Sequence, residues 1–269
     1  MRHPGILFGA GVAAALVVAA VAAPVLAPHS PVRQALRETL RRPSAAHPFG
    51  QDRLGRDVVS RVLYGARVSL WVGVLAVGIS LTVGLVVGAV AGMRGGVVDE
   101  TLMRLIDILQ AFPGILLAIA FSAILGPSLV NVIIALSIIG WTGYARLTRA
   151  QILVVRELEF VAAARALGGN DLRLTTWHVL PNIIAPILVE ASFGMAGAIV
   201  AEASLSFLGL GTQPPAPSWG AMLNEARQYL LVAPHLTLFP GLAIMTVVLG
   251  FNLLGDGLRD LLDPRRVAR

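Results

Sequence analysis

Cysteine and lysine are both missing from these 269 residues. Without cysteine there is no disulfide, no thiolate metal site and no thiol nucleophile. Without lysine, all 21 basic residues are arginine. A G-x-x-x-x-G-K-[ST] loop, whose lysine must reach nucleotide phosphates, therefore cannot exist, and the chain does not hydrolyse ATP by that route. Charge of either sign is scarce: Asp, Glu, Lys and Arg make up 13% of the chain, against about a quarter in soluble domains. Hydrophobic residues make up 56%, stacked in long uncharged runs rather than alternating with polar ones. That pattern specifies an integral membrane protein built of helices and argues against a transmembrane barrel. The formal charge of +6 reads as arginines setting topology and meeting anionic headgroups rather than binding nucleic acid.

Six apolar stretches follow in order. Gly5 to Ala27 reads as a first membrane helix or as a cleavable signal; its length exceeds the 7–15 residues of a signal core, which favours an uncleaved anchor. From Pro28 to Arg67 the chain is polar and carries eight arginines. Within it Asp52/Arg53 and Arg56/Asp57 place acid beside base, and Val58, Val59, Val62 and Leu63 recur at helical spacing. This segment is either an amphipathic helix on the membrane surface or a loop held by local salt bridges. Val68 to Met93 is a second span, with Gly84, Gly88 and Gly92 clearing one face for a neighbouring helix.

Asp99, Glu100, Arg104 and Asp107 then lead into an uncharged run from Ile108 to Ala145. As helix it would measure about 57 Å, roughly twice a ~30 Å hydrocarbon core, so it must fold back. Gly126-Pro127-Ser128 supplies the turn, placing a third span at about 105–125 and a fourth at about 129–145. Phe112-Pro113 is expected to kink or open the third. Ile183 to Phe207 and Leu236 to Gly255 are the fifth and sixth. Glu190 and Glu202 lie inside the fifth, where a carboxylate lines a pathway or makes an internal hydrogen bond. Between these spans a Pro-rich loop with Trp219 reads as a short re-entrant or interfacial plug. With six spans, one side carries twelve arginines and the other nine, a weak positive-inside bias toward the side holding Glu157 to Pro181.

That stretch, ELEFVAAARALGGNDLRLTTWHVLP, is a charged island between two apolar spans. It reads as helix, break, helix: Phe160, Ala163, Ala164 and Leu167 share a face, Gly168-Gly169 stops the first helix, Asn170 or Asp171 caps the second, and Pro181 closes it. Three successive alanines leave almost no side chain, so a partner surface can approach closely.

These residues resemble the cytoplasmic "EAA" loop of ABC-importer permeases: Ala162, Ala163, Ala164, Gly168, Leu180 and Pro181 match, with the Gly-to-Pro spacing preserved. Ala162 stands where that loop has its Glu, and His178 where an aliphatic residue is usual, so Glu157 and Glu159 are not given that Glu's role. More narrowly, HPFGQDRLGRD, SRVLYGARVSL, AFP, FVAAARALG, HVLPN, EASLSFLGLG and QPPAPSWG are similar to the dipeptide/oligopeptide/nickel permease family, from about His47 to the C-terminus.

The resemblance implies an all-α, polytopic bundle of six transmembrane helices with a type I ABC importer (MetI-like) permease core. Residues 1–67 would be an N-terminal membrane helix and extracytoplasmic loop, and 68–269 a five-helix core carrying a cytoplasmic coupling loop at 146–182. It implies a multi-pass protein of the cytoplasmic membrane and a non-catalytic subunit. Its partners would be a second, similar permease in a heterodimer, two cytoplasmic ATPase subunits that bind ATP and Mg, and an extracytoplasmic substrate-binding protein. Coupling would fall to Ala162, Ala163, Ala164, Gly168, Leu180 and Pro181, with Arg165 as a polar contact to the ATPase, and Glu190 and Glu202 are candidates for the path. A secondary transporter using Glu190, Glu202 or Asp107 is the alternative; no inverted repeat supports it. Peptides, nickel chelates, glutathione and opines are all carried by similar permeases. No His/Cys/Asp cluster points to a metal site, which favours peptide-like cargo.

Overall fold

Long apolar helices dominate the computed structural model, which describes residues 4–262. Arg2, His3 and the basic tail from Asp263 lie outside the described residues. Among the described residues the only β-pairing is an isolated bridge between Gln51 and Asp57. The long helices are α1 (Pro4–Leu26), α2 (Val58–Arg94), α5 (Leu129–Val155), α8 (Leu180–Phe207) and α10 (His235–Leu262). Among the described residues five helices are long and apolar enough to cross a membrane. The bent pair α3 (Gly96–Gln110) and α4 (Gly114–Leu125), which meet at 80°, has the composition of a sixth span broken in the middle or of a re-entrant hairpin.

The bend falls at Phe112-Pro113. Proline offers no N–H, and its ring disfavours helix in the residue before it, so α3 stops and α4 restarts with Leu116 and Leu117 N–H groups donating to Pro113 O. The expected opening at Phe112-Pro113 is thus present, and the helical stretch begins at Gly96 rather than at about residue 105. The apolar part, α4, has 12 residues, about 18 Å of helix, whereas α3 is amphipathic and carries the acids. Arg149 grips one of these in a two-point ion pair with Asp99 (Nε–Oδ1 2.5 Å, Nη2–Oδ2 2.6 Å), and Arg146 pairs with Asp107 at 2.6 Å. The turn at residues 126–128 forms as expected: Ser128 caps α5 by accepting from Asn131 N, and the Asn131 amide donates back to Leu125 O and Gly126 O.

α2 and α5 form the most extensive helix pair. A Cβ at Gly88 would stand 2.5 Å from Ala145 O and 2.7 Å from Thr148 Cβ, and one at Gly92 would stand 2.8 Å from Ile152 Cγ2. The small-residue face read from the sequence is thus the seam where two backbones touch. α2 also begins ten residues before the expected span. Val58 onward is the first turns of the membrane helix itself, started by Asp57, whose side chain accepts from Ser60 N. Beside this pair, α1 packs on α10 and α10 on α8, around a core that includes Leu16, Ala66, Ile199, Trp219 and Phe251. Many large apolar side chains on α2, among them Val74, Ile79, Val83 and Val86, face outward, as a lipid-facing surface requires.

Trp219 is buried inside the protein rather than turned outward. It is 3% exposed, donates from Nε1 to Val62 O at 2.9 Å, and roots the short helix α9 (Trp219–Ala226) onto α2 and α8. The local acid–base pairs of the first loop are also re-partnered. Asp52 binds Arg56 (2.6 Å) and Arg61 (3.5 Å), both arginines reach Glu225 on α9, and Asp57 turns to His47. A loop residue meets whichever opposite charge the fold brings to it, and adjacent side chains usually point apart.

Candidate functional site

Two regions at different depths in the bundle carry candidate function. The first is the end where α2 finishes and α5 emerges. Arg156 Nη1 donates to Gly92 O at 2.7 Å, tying the two helices together. Beyond Arg156 the chain forms α6 (Glu159–Ala166). Val161 and Leu174 are buried with Ile152, Val155, Val179, Ile183 and Ile187, and Ala164 and Leu180 pack on this cluster. The segment after α5 therefore has its own apolar root, fixed to α5 and α8.

The stop after α6 is built as the Gly pair predicts. Gly168 sits at φ +88° with nothing within 4 Å of a would-be Cβ. Its N–H donates to Arg165 O, and Gly169 N donates to Ala164 O at 3.1 Å, the two bonds of a Schellman turn. Asn170 then caps a three-residue helix, α7 (Asp171–Arg173), by accepting from Arg173 N at 2.8 Å. Leu174–Val179 follow in a π-helical turn that runs without a break into α8. Pro181 is thus corrected: it does not close a short helix but stands inside a continuous one, directly after the π-helical turn.

Of the residues singled out, Ala162, Ala163, Arg165, Gly168 and Pro181 are exposed, while Ala164 and Leu180 are half-buried in the root. Ala164 thus leaves the face on which the helical spacing placed it with Phe160, Ala163 and Leu167. The exposed surface has apolar members that the sequence reading passed over as site residues. Leu167 is 90% exposed and Trp177 76%, and Leu172 and Phe160 are also exposed. Large apolar side chains at the polar end of a membrane protein are the signal that marks a contact surface.

The second region is a cavity of about 300 Å³ between α2, α4, α5 and α8, lined by Ser80, Gly114, Tyr144, Glu190 and Gly194 among others. Glu190 stands one turn before Gly194, whose missing side chain makes room for the Tyr144 hydroxyl. Small residues thus open the space and a few polar groups mark it. Glu202 is elsewhere. It is fully buried, and Ser206 Oγ donates to its Oε1 at 2.6 Å, so of its two readings the internal hydrogen bond is the one with geometry behind it. The structure brings Glu190 to the cavity and leaves Glu202 outside it.

One further cluster contradicts the sequence-based expectation that no such group exists. His29, His47 and Asp57 offer ligand atoms within 4.8 Å of one another. They lie 18 and 10 residues apart, at no recognisable metal-ligand spacing, so only the fold reveals them.

Comparison with known proteins agrees with this architecture. Residues 84–268 match the family model described as binding-protein-dependent transport system inner membrane component. A dipeptide transport system permease protein of Alkalihalophilus pseudofirmus is 51% identical over 226 residues, covering 84% of this chain and 74% of the relative. A glutathione transport system permease protein of Pectobacterium atrosepticum is 49% identical over 223 residues, covering 83% and 74%. Among solved structures, an inward-facing MetNI methionine ABC transporter matches with TM-score 0.59 at 19% identity, covering 76% of this chain and 97% of that one. At that identity the likeness concerns the fold.

Proposed function

The chain belongs to the binding-protein-dependent transport system inner membrane component family of ABC-importer permeases, and from that premise we propose how it works. It is the translocating subunit that admits dipeptides, oligopeptides or a small solute of similar size, such as glutathione, across the cytoplasmic membrane. Transport is driven by ATP and Mg bound in two cytoplasmic ATPase subunits, and cargo arrives from an extracytoplasmic binding protein. A second, similar permease completes the pathway as a heterodimer. The end bearing α6 faces the cytoplasm, and the first loop and α9 face outside.

The observation that carries this reading is the build of α6. It is rigidly rooted through Val161 and Ala164 on the ends of α5 and α8, yet presents Ala162, Ala163 and Leu167 outward. A rigid lever whose outer face is bare at Ala162 and Ala163 and apolar at Leu167 suits docking in a groove of an ATPase. Movement of that groove on ATP binding would tilt α5 and α8, two of the four walls of the cavity holding Glu190, and so alternate its access. The ion-coupled alternative retains a single candidate, Glu190, because Asp107 is paired with Arg146 and Glu202 is sealed.

The test is uptake by the complete complex in proteoliposomes, with and without ATP, using Ala163→Arg and Gly168→Asp. Ala163→Arg adds bulk and charge at an exposed position, whereas Ala164→Arg would disrupt the root itself. Both variants should assemble and lose ATP-driven uptake. Wild-type uptake persisting in both variants, or proceeding without ATP, would show the coupling assignment to be wrong.

A further inference from the structure

We propose that His29, His47 and Asp57 form a binding site for a divalent transition cation of the zinc class, at the end of the bundle opposite α6. This inference is independent of the transport reading.

The three residues come from three points of the chain: just beyond the end of α1, the middle of the first loop, and the residue that caps α2. His47 Nδ1 stands 2.8 Å from Asp57 Oδ1, and His29 Nδ1 stands 3.8 Å from the same oxygen. Zinc binds imidazole nitrogen and carboxylate oxygen at about 2.0–2.2 Å, so two ligands of one ion lie no more than ~4 Å apart. Both distances fit without backbone movement. The imidazoles lie side by side, centroids 4.4 Å apart and tilted by 31°, with no hydrogen bond between them.

Three further observations separate this arrangement from a His–Asp hydrogen bond that merely buttresses a helix cap. First, the buttress explains His47 but not His29, whose Nδ1 is shielded from solvent and has no hydrogen-bond partner among the described residues. Second, the carboxylate is already oriented. Asp57 Oδ2 accepts from Ser60 N at 2.8 Å and Ser60 Oγ at 2.7 Å, which leaves Oδ1 turned to the histidines, the arrangement that outer-shell hydrogen bonds give a metal-binding carboxylate. Ser60 Oγ also accepts from His29 N at 3.1 Å, fixing the third residue to the same anchor. Third, a cavity of about 220 Å³ adjoins the three. It is also lined by Gln51, which is 1% exposed and has an Oε1 without a partner among the described residues. Space for water or a further donor therefore exists beside the cluster. Two imidazoles and one carboxylate suit zinc and its neighbours cobalt and nickel, and suit magnesium or calcium poorly. A cation there would tie the end of α1, the first loop and the start of α2 together.

The experiment uses the full-length chain in detergent micelles, any affinity tag removed, stripped with chelator and titrated with Zn²⁺ by calorimetry, with Co²⁺ as an absorbing probe. One ion per chain should bind, with a cobalt ligand-field band, and Mg²⁺ should not displace it. His29→Ala, which keeps the backbone bond to Ser60, and His47→Ala should each weaken binding at least about tenfold, while His178→Ala should leave it unchanged. Absence of stoichiometric Zn²⁺ binding by the wild type overturns the proposal. So does wild-type affinity in both His29→Ala and His47→Ala, or loss of binding in His178→Ala.

Discussion

Glu225 is the residue whose removal most sharply tests how the outer end of the bundle is held. Arg56 and Arg61, 4% and 2% exposed at their side chains, face Asp52 and Glu225 in one cluster. Two cations and two anions make it neutral. Contacts of 2.5–3.5 Å are each worth a gross attraction of about 5–7 kcal/mol at an effective dielectric near 20, largely cancelled by desolvation. What survives is the asymmetry: removing one partner strands a buried charge. A fully buried pair loses about 3–5 kcal/mol in that way; because Glu225 keeps some access to water, Glu225→Gln should cost about 2–3 kcal/mol. Arg61→Met strands a negative charge instead. The double variant is neutral again, so its loss should fall short of the sum of the singles by at least about 1 kcal/mol. Tryptophan fluorescence during heating in detergent, with Trp219 inside the affected region, reads this out. At roughly 2–4 °C per kcal/mol, Glu225→Gln should lower the apparent unfolding temperature by roughly 4–12 °C. Strictly additive losses in the double variant would refute the charge-balance reasoning.

Three other substitutions check separate parts of the structure. Gly88→Ala should destabilise by about 1–3 kcal/mol through overpacking of the α2–α5 seam, whereas Gly78→Ala on the same helix, with nothing within 4 Å, should be neutral or slightly stabilising; unfolding in mixed micelles compares them. Gly168→Ala should cost about 1–2 kcal/mol from its left-handed φ alone, seen as faster amide exchange at 167–170, and Gly168→Asn should cost less. Trp219→Phe should lose about 1 kcal/mol with the hydrogen bond to Val62 O, while leaving exchange across α6 unchanged.

How far the sequence reaches is clearest where structure and sequence can be set side by side. The membrane class, the turn at Gly126-Pro127-Ser128, the break at Pro113, the glycine seam of α2 and the Gly168-Gly169 stop were all legible. Each rests on a local property: a run without charge, a missing N–H, a missing Cβ, a φ that only glycine takes at no cost. The short helix and its stop after α5 were legible, but not the division of its alanines into a rooted Ala164 and an outward Ala163, because that depends on where α5 and α8 end.

What only the tertiary structure decided are the relations between distant residues. Charge pairing in the first loop joined the local Asp52–Arg56 pair to the distant Glu225, since in a nearly buried site the partners include whichever opposite charge the helices deliver. Glu190 and Glu202 are alike in sequence, being carboxylates in one apolar helix, yet one faces a cavity and the other is sealed with Ser206. His29, His47 and Asp57 meet because α1, the first loop and α2 converge, a convergence no spacing encodes. Sequence alone determined that the chain lies in a membrane, where most of its long helices run and the stops at residues 126–128 and 168–169, since those follow from each residue's own solvation and backbone freedom. Which side chains meet follows from packing, and packing belongs to the whole chain.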